Sequence, residues 1–310
     1  MTEPAIRVAL VGMGKIARDQ HIPAIAGNPN VELAATVSPS SGGVDGVPHY
    51  TTLEEMLAGG PEVDAVALCS PPQVRYGLAA AAIAARRHVF LEKPPGATLS
   101  EVAVLSDKAA AAGVTLFASW HSRFAAGVEP ARAWLADRSV LRAKITWRED
   151  VRHWHPGQDW IWEAGGLGVF DPGINALSIA THILPNAILL EHALLSLPAN
   201  RDAPIAAQLS LRDSAGAPVA MDLDWRQTGP QSWDIEVETD AGTLRLSQGG
   251  AVLDLPSGSH RDADREYAGL YARFVYLVRA GESDVDVTPL QLVADAFLRG
   301  RRTIVEAFED

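Results

Sequence analysis

The feature that most constrains the fold of this chain is a glycine-rich turn near its N-terminus. Residues 6–11 are mostly apolar and rich in β-branched side chains, which is typical of a central parallel strand. Gly12, Gly14 and Ala17 follow in the spacing G-x-G-x-x-A, and a helical stretch runs on to about residue 27. Gly12 permits the tight turn, Gly14 lets the backbone approach a pyrophosphate, and Ala17 lets the helix pack close to the strand. At the first strand–helix turn this motif predicts a dinucleotide site, and an ordinary glycine-rich turn is the alternative.

The alternation of strands and helices continues to about residue 121. Capping boxes begin at Thr52 and Thr98, and Gly113 follows the second of these helices as a stop signal. The other predicted elements are strands at 31–37, 64–69 and 114–118, a strand that ends at 92–93, and an alanine-rich helix at 74–85. Strands that alternate with helices at this spacing predict a doubly wound parallel sheet. We therefore expect an α/β domain over residues 1–121.

The pattern changes near residue 122. A helix is predicted over 127–135, and polar and apolar residues then alternate along five runs, at 141–149, 206–211, 219–225, 233–239 and 243–246. This period of two predicts an α+β domain over residues 122–286, with a large, mainly antiparallel sheet and one open face. Because an open sheet face is often a subunit interface, we expect a homodimer. A long final helix over about 287–310 is expected to return and cover the first domain.

Composition limits the possible partners. The chain has 310 residues, of which 47% are hydrophobic and 21% are charged, enough to bury the cores of two domains. A net charge of −12 and a pI of about 5.2 argue against a nucleic-acid or anionic-membrane partner. There is no apolar run of membrane-spanning length and no basic N-terminal leader, so we expect a soluble cytoplasmic protein. Because Cys69 is the only cysteine, we expect neither disulfides nor a thiolate metal cage.

A lysine lies at the carboxyl end of the predicted fourth strand. The buried run His88-Val89-Phe90 leads into Glu92-Lys93-Pro94-Pro95. Open α/β sheets bind ligands at the carboxyl ends of their strands. Proline fixes φ and removes a backbone donor, so the chain must turn sharply after Lys93. A lysine on such a turn can be desolvated and brought against a substrate oxygen, although a surface lysine before a turn shows the same pattern.

Two other strand ends border the same predicted site. Ser38 follows the second strand, where NAD-selective enzymes usually carry Asp or Glu for the adenine ribose. A serine would not repel the 2′-phosphate of NADP, but residues 39–43 contain no arginine to hold it, and we do not expect Arg18 to reach this loop. The sequence therefore permits NADP and does not exclude NAD. After the third strand, the candidates to border the nicotinamide ribose, if this is not a plain proline-rich turn, are Ser70, Pro71 and Gln73.

The segment 147–162 is dense in aromatic and hydrogen-bonding side chains. Four of the chain's eight tryptophans lie in it, although only 6% of all residues are aromatic. Aromatic faces beside carboxylates, amides and imidazoles can hold a polar ring with one apolar face, which describes a monosaccharide. A tryptophan-rich corner of the core is the alternative. A metal is not expected, because a sugar would use the same possible ligands, which are His121, Glu149, His153 and His155.

Asp171 and Asn175 lie four residues apart in a predicted helix that runs to about residue 184. Residues with this spacing share a helix face, so both side chains could converge on one substrate hydroxyl. The glycines at 165–168 let the chain pass close to a ligand. Asp171 followed by Pro172 is also a good N-cap and N1 pair, so helix capping is the alternative. Capping and catalysis are compatible.

Several of these motifs together resemble one family. The glycine motif at 12–17, the Glu92-Lys93-Pro94 turn and the Asp171–Asn175 pair resemble the Gfo/Idh/MocA family of glucose-fructose oxidoreductase, inositol dehydrogenase and rhizopine catabolism proteins. The resemblance covers essentially the whole chain. Longer strings resemble the bacterial aldose branch, L-arabinose 1-dehydrogenases and D-galactose 1-dehydrogenases, and these are residues 14–21, 92–99, 154–158 and 168–175.

The resemblance implies an N-terminal Rossmann domain and an NAD(P)-dependent aldose 1-dehydrogenase. The implied reaction oxidises C1 of a pyranose, L-arabinose and/or D-galactose, to the aldonolactone by hydride transfer to NADP or NAD. The alternatives are another sugar or inositol dehydrogenase of the family, or a non-catalytic regulator that senses sugar and dinucleotide.

The expected roles can be assigned residue by residue. Asp171 is the expected general base, Asn175 fixes the hydroxyl and Lys93 polarises its oxygen, although Lys93 and Asp171 could exchange roles. The expected cofactor contacts are Gly12, Gly14, Lys15, Ile16, Ser38, Ser70, Pro71, Gln73, Glu92, Lys93 and Trp162. The sugar contacts that the resemblance implies are His121, Glu149, Trp154, His155, Asp171, Asn175 and Trp233.

Two positions depart from the family pattern. The family often has Asp-x-x-x-His where this chain has Asp171 and Asn175. This departure matches the aldose branch but removes the usual imidazole acid/base, so proton removal falls to another group. In related L-arabinose dehydrogenases an arginine commonly follows the serine after the second strand, where this chain has Pro39. A firm NADP preference is therefore not implied.

Overall fold

The computed structural model describes residues 3–309. The chain forms two compact units. The first contains the chain up to Trp120 together with Tyr267–Val287, and the second contains His121–Glu266 together with the chain from Thr288. The first boundary lies next to the expected domain end at residue 121.

Strands and helices alternate through the first part of the chain. Its elements are β1 (Ile6–Val11), α1 (Ile22–Ala26), β2 (Val31–Val37), β3 (His49–Tyr50), α2 (Leu53–Gly59), β4 (Ala65–Leu68), α3 (Pro72–Ala84), β5 (His88–Leu91), α4 (Leu99–Ala112) and β6 (Leu116–Ala118). Thr52 and Thr98 each form a complete capping box, so α2 and α4 begin where the sequence predicts. Gly113 adopts φ +66° and ends α4.

A short 3₁₀ helix at His121–Phe124 begins the second part, in which strands predominate. The elements that follow are α5 (Val128–Leu135), β7 (Val140–Arg148), α6 (Val151–Trp154), α7 (Phe170–Ile183), β8 (Ile188–Pro198), β9 (Ala206–Asp213), β10 (Pro218–Asp224), β11 (Ser232–Thr239), β12 (Gly242–Ser247), β13 (Val252–Leu255), β14 (Gly258–Arg261), α8 (Glu266–Ala280), α9 (Thr288–Arg299) and β15 (Arg301–Val305).

The first unit is built on six parallel strands in the order β3-β2-β1-β4-β5-β6. The strand order reverses between β1 and β4, and α/β sheets bind ligands beside the carboxyl ends at such a point. Leu10 of β1 is fully buried, as expected of a central strand. Tyr271 and Phe274 of α8 pack against Phe90 of β5, so α8 covers part of this sheet. The predicted doubly wound parallel sheet is confirmed.

The second unit is built on nine strands in the order β14-β13-β12-β11-β7-β10-β9-β8-β15. Six of its eight strand pairings are antiparallel, and β7–β10 and β8–β15 are parallel. Helices α5, α7 and α9 pack against its strands. Along β9, Leu209 and Leu211 are buried whereas Gln208 and Ser210 are exposed, so side chains alternate between a core face and an open face. The predicted mainly antiparallel sheet is confirmed.

The end of the chain differs from the expectation of one long helix over about 287–310. Helix α9 stops at Arg299, and β15 then pairs in parallel with β8 in the second unit. A Cβ at Gly300 would lie 2.4 Å from the carbonyl oxygen of Ala296, so a glycine is needed where the chain leaves the helix. The edge of β8 has backbone donors and acceptors that would otherwise be unpaired, and β15 satisfies them. The later segment that belongs to the first unit is Tyr267–Val287, not the final helix.

None of the helices within residues 3–309 combines the length and the apolar character that crossing a membrane requires.

Candidate active site

The glycine turn after β1 lies directly against the end of β4. Gly12 has φ +92° and donates its N–H to the carbonyl oxygen of Val37 at 2.9 Å. A Cβ at Gly12 would lie 2.8 Å from the backbone nitrogen of Ser70 and 2.9 Å from the carbonyl carbon of Cys69. Real Cβ atoms essentially never come that close, so only glycine fits here.

Gly14 has a different environment. Apart from Gly14 itself and its two chain neighbours, no heavy atom of residues 3–309 lies within 4 Å of a Cβ built at this position. The helix begins at Lys15, passes through a π-helical turn at Ala17–His21 and continues as α1, and Ala17 is fully buried against the unit's core. The first N–H groups of a helix have no partner inside it, so they are available to an anion. The open space at Gly14 and the helix start at Lys15 fit the pyrophosphate of a dinucleotide.

A cation from the first helix reaches the loop after β2, which the sequence did not lead us to expect. Arg18 reaches this loop and donates from Nη2 to the carbonyl oxygen of Gly42 at 2.6 Å, so the expectation that it would not reach is wrong. Ser38 is buried, and its hydroxyl accepts the N–H of Ser41 at 3.1 Å.

A buried arginine holds the turn that carries Lys93. Arg75 in α3 is only 2% exposed, and its guanidinium donates to the carbonyl oxygens of Ser70, Glu92 and Pro94. A guanidinium stays charged and offers five donors, so one side chain can satisfy three carbonyls. Arg75 therefore ties the loop after β4 to the turn after β5. We did not expect this role from the sequence, where the only signal is a lone charge in an apolar helix.

Glu92 is a buried carboxylate with donors on both oxygens. Oε2 accepts the N–H of Lys93 at 2.8 Å, and Oε1 accepts the hydroxyl of Tyr267 at 2.8 Å. His21 Nε2 lies 2.9 Å from the same Oε1, and His21 Nδ1 lies 2.8 Å from the hydroxyl of Tyr271. Burial raises the pKa of Tyr271 well above its usual value, so this phenol stays protonated and can donate to Nδ1. The tautomer with its proton on Nε2 lets His21 accept from Tyr271 and donate to Glu92, which helps to hold the carboxylate beside Lys93.

A second buried carboxylate follows β7 in the second unit. Glu149 is 2% exposed and accepts the indole N–H of Trp233 on Oε2 at 2.8 Å. Its Oε1 lies 3.2 Å from Nε2 of His155. Nδ1 of His155 lies 3.7 Å from Oδ2 of Asp171, another buried carboxylate. Four residues that we predicted to bind sugar from separate parts of the sequence therefore form one cluster.

Three tryptophans form a row beside Glu149. The rings of Trp147 and Trp233 are stacked with centroids 6.0 Å apart, and Trp154 is tilted against Trp233 at 4.9 Å. Trp147 is buried, whereas Trp154 and Trp233 are half-buried. Partly exposed indoles next to a fixed carboxylate offer an apolar surface with a polar edge.

The sequence offered Asp171 as an N-cap, but in the structure it is the second residue of α7. The helix begins at Phe170 after the N-cap residue Val169. The N-cap prediction is wrong because Gly168, with φ +54°, lets the chain enter the helix earlier. Asn175 lies one turn after Asp171 and is the one half-buried residue between positions 170 and 180. Asn175 is therefore the residue of this helix segment that is most accessible to a ligand.

Two other predicted contact residues have partners within the second unit. Nδ1 of His121 pairs with the carboxylate of Glu266. Trp162 is buried, edge-on to Trp225 with centroids 5.0 Å apart and 5.9 Å from the ring of Phe308. The roles of His121 in sugar binding and of Trp162 in cofactor binding stay predictions. Among residues 3–309, no group of three or more His, Cys, Asp or Glu is arranged to hold a metal ion.

Known proteins resemble this chain over almost its full length. Residues 6–119 match the family model GFO_IDH_MocA, described as an oxidoreductase family with an NAD-binding Rossmann fold. A galactose 1-dehydrogenase from Pseudomonas fluorescens is 46% identical over 306 residues, which cover 98% of this chain and 99% of that protein. The chain belongs to the Gfo/Idh/MocA family.

Solved structures agree with membership of the Gfo/Idh/MocA family. The crystal structure of a D-galactose-1-dehydrogenase from Rhizobium etli is 57% identical and superposes with a TM-score of 0.96, covering 100% of this chain and 99% of that one. A 3-ketoreductase from Actinomadura kijaniata, crystallised with NADP and TDP-benzene, is 18% identical with a TM-score of 0.84 over 97% of this chain and 99% of that one, and shares the fold. The family recognised from the motifs is confirmed, and the chain is an oxidoreductase with a nicotinamide cofactor.

Alanine at the two glycines of the turn should separate folding from cofactor binding. Gly12→Ala places a Cβ against backbone at positive φ, so we expect a loss of stability of about 1–3 kcal/mol or more, measured by thermal unfolding of the free protein. Gly14→Ala meets no atom of the described chain, so we expect an unchanged Tm and NAD(P) binding weakened about tenfold or more, measured by fluorescence titration. Unchanged NAD(P) affinity in Gly14→Ala would show that the dinucleotide does not approach this backbone.

Proposed function

We propose that the chain is an NAD(P)-dependent aldose 1-dehydrogenase that oxidises C1 of D-galactose and L-arabinose, as pyranoses, to the aldonolactone. The observation that carries the proposal is the cluster of Glu149, His155 and Asp171 beside half-buried tryptophans. A buried carboxylate can take a proton from a hydroxyl, and indole faces can hold a sugar ring. The names of two relatives, both galactose 1-dehydrogenases, support the same substrate class.

The chain's own residues manage the hydroxyl and its proton. A bound nicotinamide supplies an acceptor for the hydride that leaves C1. Asp171 takes the proton of the C1 hydroxyl, so that its O–H bond breaks as the C1=O bond of the lactone forms. Asn175, one helical turn away, holds this oxygen through its amide. Lys93 polarises the oxygen with its ammonium group, and an exchange of roles between Lys93 and Asp171 is the alternative.

The remaining sugar groups are bound by the cluster that follows β7. The indole N–H of Trp233 fixes one oxygen of Glu149, so the carboxylate has a set orientation toward a sugar hydroxyl. Trp154 and Trp233 cover the apolar face of the ring, and His121 is proposed to contact a further hydroxyl. D-galactose and L-arabinose have the same ring configuration at C2 to C4. A site without a steric stop at C5 therefore accepts both, because a pocket discriminates weakly against an added group.

Both cofactors fit the loop after β2. Ser38 carries no negative charge that would repel a 2′-phosphate, and Arg18 places a cation on Gly42 of the same loop. This arrangement favours NADP. The hydroxyls of the loop can also bond to an unphosphorylated ribose, so NAD is accepted as well.

The open face of the nine-stranded sheet supports a homodimer. Arginines and carboxylates of neighbouring strands pair on the sheet, as in Arg142 with Glu238 and Arg148 with Asp222. A surface that carries both charge signs can be complementary to a second copy of itself across a two-fold axis.

A steady-state assay tests the reaction. We expect D-galactose and L-arabinose to produce reduced cofactor, followed by absorbance, with D-xylose and D-glucose poorer substrates. Asp171→Asn and Lys93→Ala should each lower kcat by about 10²–10⁴-fold, because each removes a group that acts on the transferred proton or the charged oxygen. The controls Asp159→Asn and Lys108→Ala change exposed residues of the same types and should keep the wild-type kcat.

Two results would contradict the proposal. Wild-type turnover in folded Asp171→Asn and Lys93→Ala would remove both assigned roles. If no aldose reduces either cofactor although the dinucleotide binds, the aldose 1-dehydrogenase proposal fails, and the result favours the non-catalytic sensor over it, with an inositol dehydrogenase as the other alternative.

Arg18→Ala tests the source of the NADP preference. Loss of the guanidinium should weaken NADP binding about tenfold or more and leave NAD binding unchanged, since only NADP carries the extra phosphate. The measurement is the Kd of each cofactor by fluorescence titration, with NAD as the internal control. Equal weakening for both cofactors would show that Arg18 only supports the loop.

Sedimentation tests the dimer. We expect the wild-type protein to sediment at twice its chain mass of 33.0 kDa. Arg142→Glu places two like charges opposite each other on the open face and should shift the protein toward monomer. Arg132→Glu, an exposed arginine on α5, is the matched control and should remain dimeric. A wild-type monomer at micromolar concentration would refute this interface.

A further inference from the structure

A carboxylate from a distant part of the chain pairs with His121. Nδ1 of His121 pairs with Oε2 of Glu266, the first residue of α8, which lies 145 positions later in the sequence. The two side chains are 17% and 24% exposed, so the pair is largely withdrawn from water while part of the ring stays accessible. Neither the motifs nor the family resemblance led us to expect Glu266 in the site.

The carboxylate of Glu266 decides where the ring of His121 carries its proton. An ionised carboxylate only accepts hydrogen bonds, so Nδ1 must donate, and the hydroxyl of Ser122, 3.4 Å from Nδ1, is a more distant second contact. The neutral ring then has its lone pair on Nε2, where it can accept the O–H of a ligand. Without an acceptor at Nδ1, the proton could lie on either nitrogen and the ring could rotate.

The backbone beside His121 is held in place by other contacts. Arg123 donates from Nε to the carbonyl oxygen of Ser178 at 3.0 Å and from Nη2 to the hydroxyl of Thr181 at 3.3 Å. Ser178 in turn donates its hydroxyl to the carbonyl oxygen of Asn175 at 2.7 Å. The segment that carries His121 is therefore tied to α7 one helical turn beyond Asn175. The orientation of the imidazole itself is left to Glu266.

We propose that Glu266 is a positioning residue for the sugar, which fixes the His121 ring so that Nε2 accepts the O–H of one sugar hydroxyl. The inference rests on the proposed function, which assigns the C1 hydroxyl to Asp171 and Asn175 and a further hydroxyl to His121. A contact away from C1 is made equally in the bound sugar and in the transition state. Glu266 therefore contributes to sugar affinity and not to the rate of the chemical step.

A purely structural role for Glu266 is the alternative. A carboxylate in the first turn of a helix is stabilising, because it faces the positive end of the helix dipole. The start of α8 is also held by Asp264, whose Oδ1 accepts the N–H of Glu266 at 2.9 Å. If Glu266 served only the helix, its loss would lower the Tm and leave the KM for sugar unchanged.

Steady-state kinetics of Glu266 variants separate the two roles. In Glu266→Ala we expect the KM for D-galactose to rise about tenfold, as for one lost hydrogen-bonding group, with kcat within about twofold of wild type. Glu266→Gln keeps an oxygen that accepts the Nδ1–H, so its KM should stay within about threefold of wild type. The matched control is Glu129→Ala, because Glu129 also lies in the first turn of a helix and pairs with a histidine, His182. It should keep the wild-type KM and kcat.

A double variant supplies a readout that a structural role would not give. Because Glu266 acts through the ring, His121→Ala should raise KM at least as much as Glu266→Ala, and His121→Ala/Glu266→Ala should raise it no further. Thermal unfolding shows that each variant is folded. NMR of the histidine-labelled wild type adds a measurement that needs no folded Glu266 variant, and it should show the His121 ring protonated on Nδ1 and not on Nε2.

The possible results separate this inference from the proposed function. An unchanged KM in folded Glu266→Ala, additive effects in the double variant, or a proton on Nε2 of His121 would each overturn the role of Glu266. An unchanged KM in His121→Ala would overturn it as well, while oxidation of D-galactose by the wild type would leave the dehydrogenase proposal standing. If the wild type reduces neither cofactor with any aldose, the proposed function fails and this inference fails with it.

Discussion

The first unit depends on the buried carboxylate of Glu92. It connects segments that are far apart in the sequence, through His21 after the glycine turn, Tyr267 of α8, and the backbone N–H of Lys93. Removing one partner of a buried charge typically destabilises a protein by about 3–5 kcal/mol, because the charge remains desolvated. Glu92 therefore couples the stability of the segment after the glycine turn, α8 and the lysine turn. This coupling explains how a lysine at a strand end acquires a defined backbone position.

The second unit uses a buried carboxylate in the same way. Glu149 follows the central strand β7, and the indole of Trp233 restricts it to one orientation. The other oxygen, Oε1, lies 3.2 Å from Nε2 of His155, whose Nδ1 in turn lies 3.7 Å from Oδ2 of Asp171. In both units, a buried carboxylate is held by hydrogen-bond donors and lies against one further group of the site, Lys93 for Glu92 and His155 for Glu149. Such preorganised charges need no rearrangement during a reaction, which is the main source of electrostatic catalysis.

Local signals allowed much of the fold to be predicted, and non-local contacts account for what was missed. The Thr98 capping box and Gly113 gave the bounds of α4 because cap geometry depends only on adjacent residues. The glycine spacing identified the dinucleotide turn for the same reason. The parallel pairing of β15 with β8 could not be predicted, because it joins residues about a hundred positions apart.

The contacts between side chains of the candidate site could not be predicted from the sequence either. Composition and motif resemblance identified Glu149, His155 and Asp171 as site residues. They did not predict that the imidazole of His155 would lie between the two carboxylates. Helix α7 shows why that geometry is stable. A Cβ at Gly173 would lie 2.7 Å from Cδ1 of Leu223, so α7 packs closely on β10 at this glycine. Burying the polar Asp171 on such a helix is unfavourable unless its carboxylate is satisfied. Because α7 packs closely on the sheet at this turn, Asp171 is only 3% exposed, and its Oδ2 lies 3.7 Å from Nδ1 of His155.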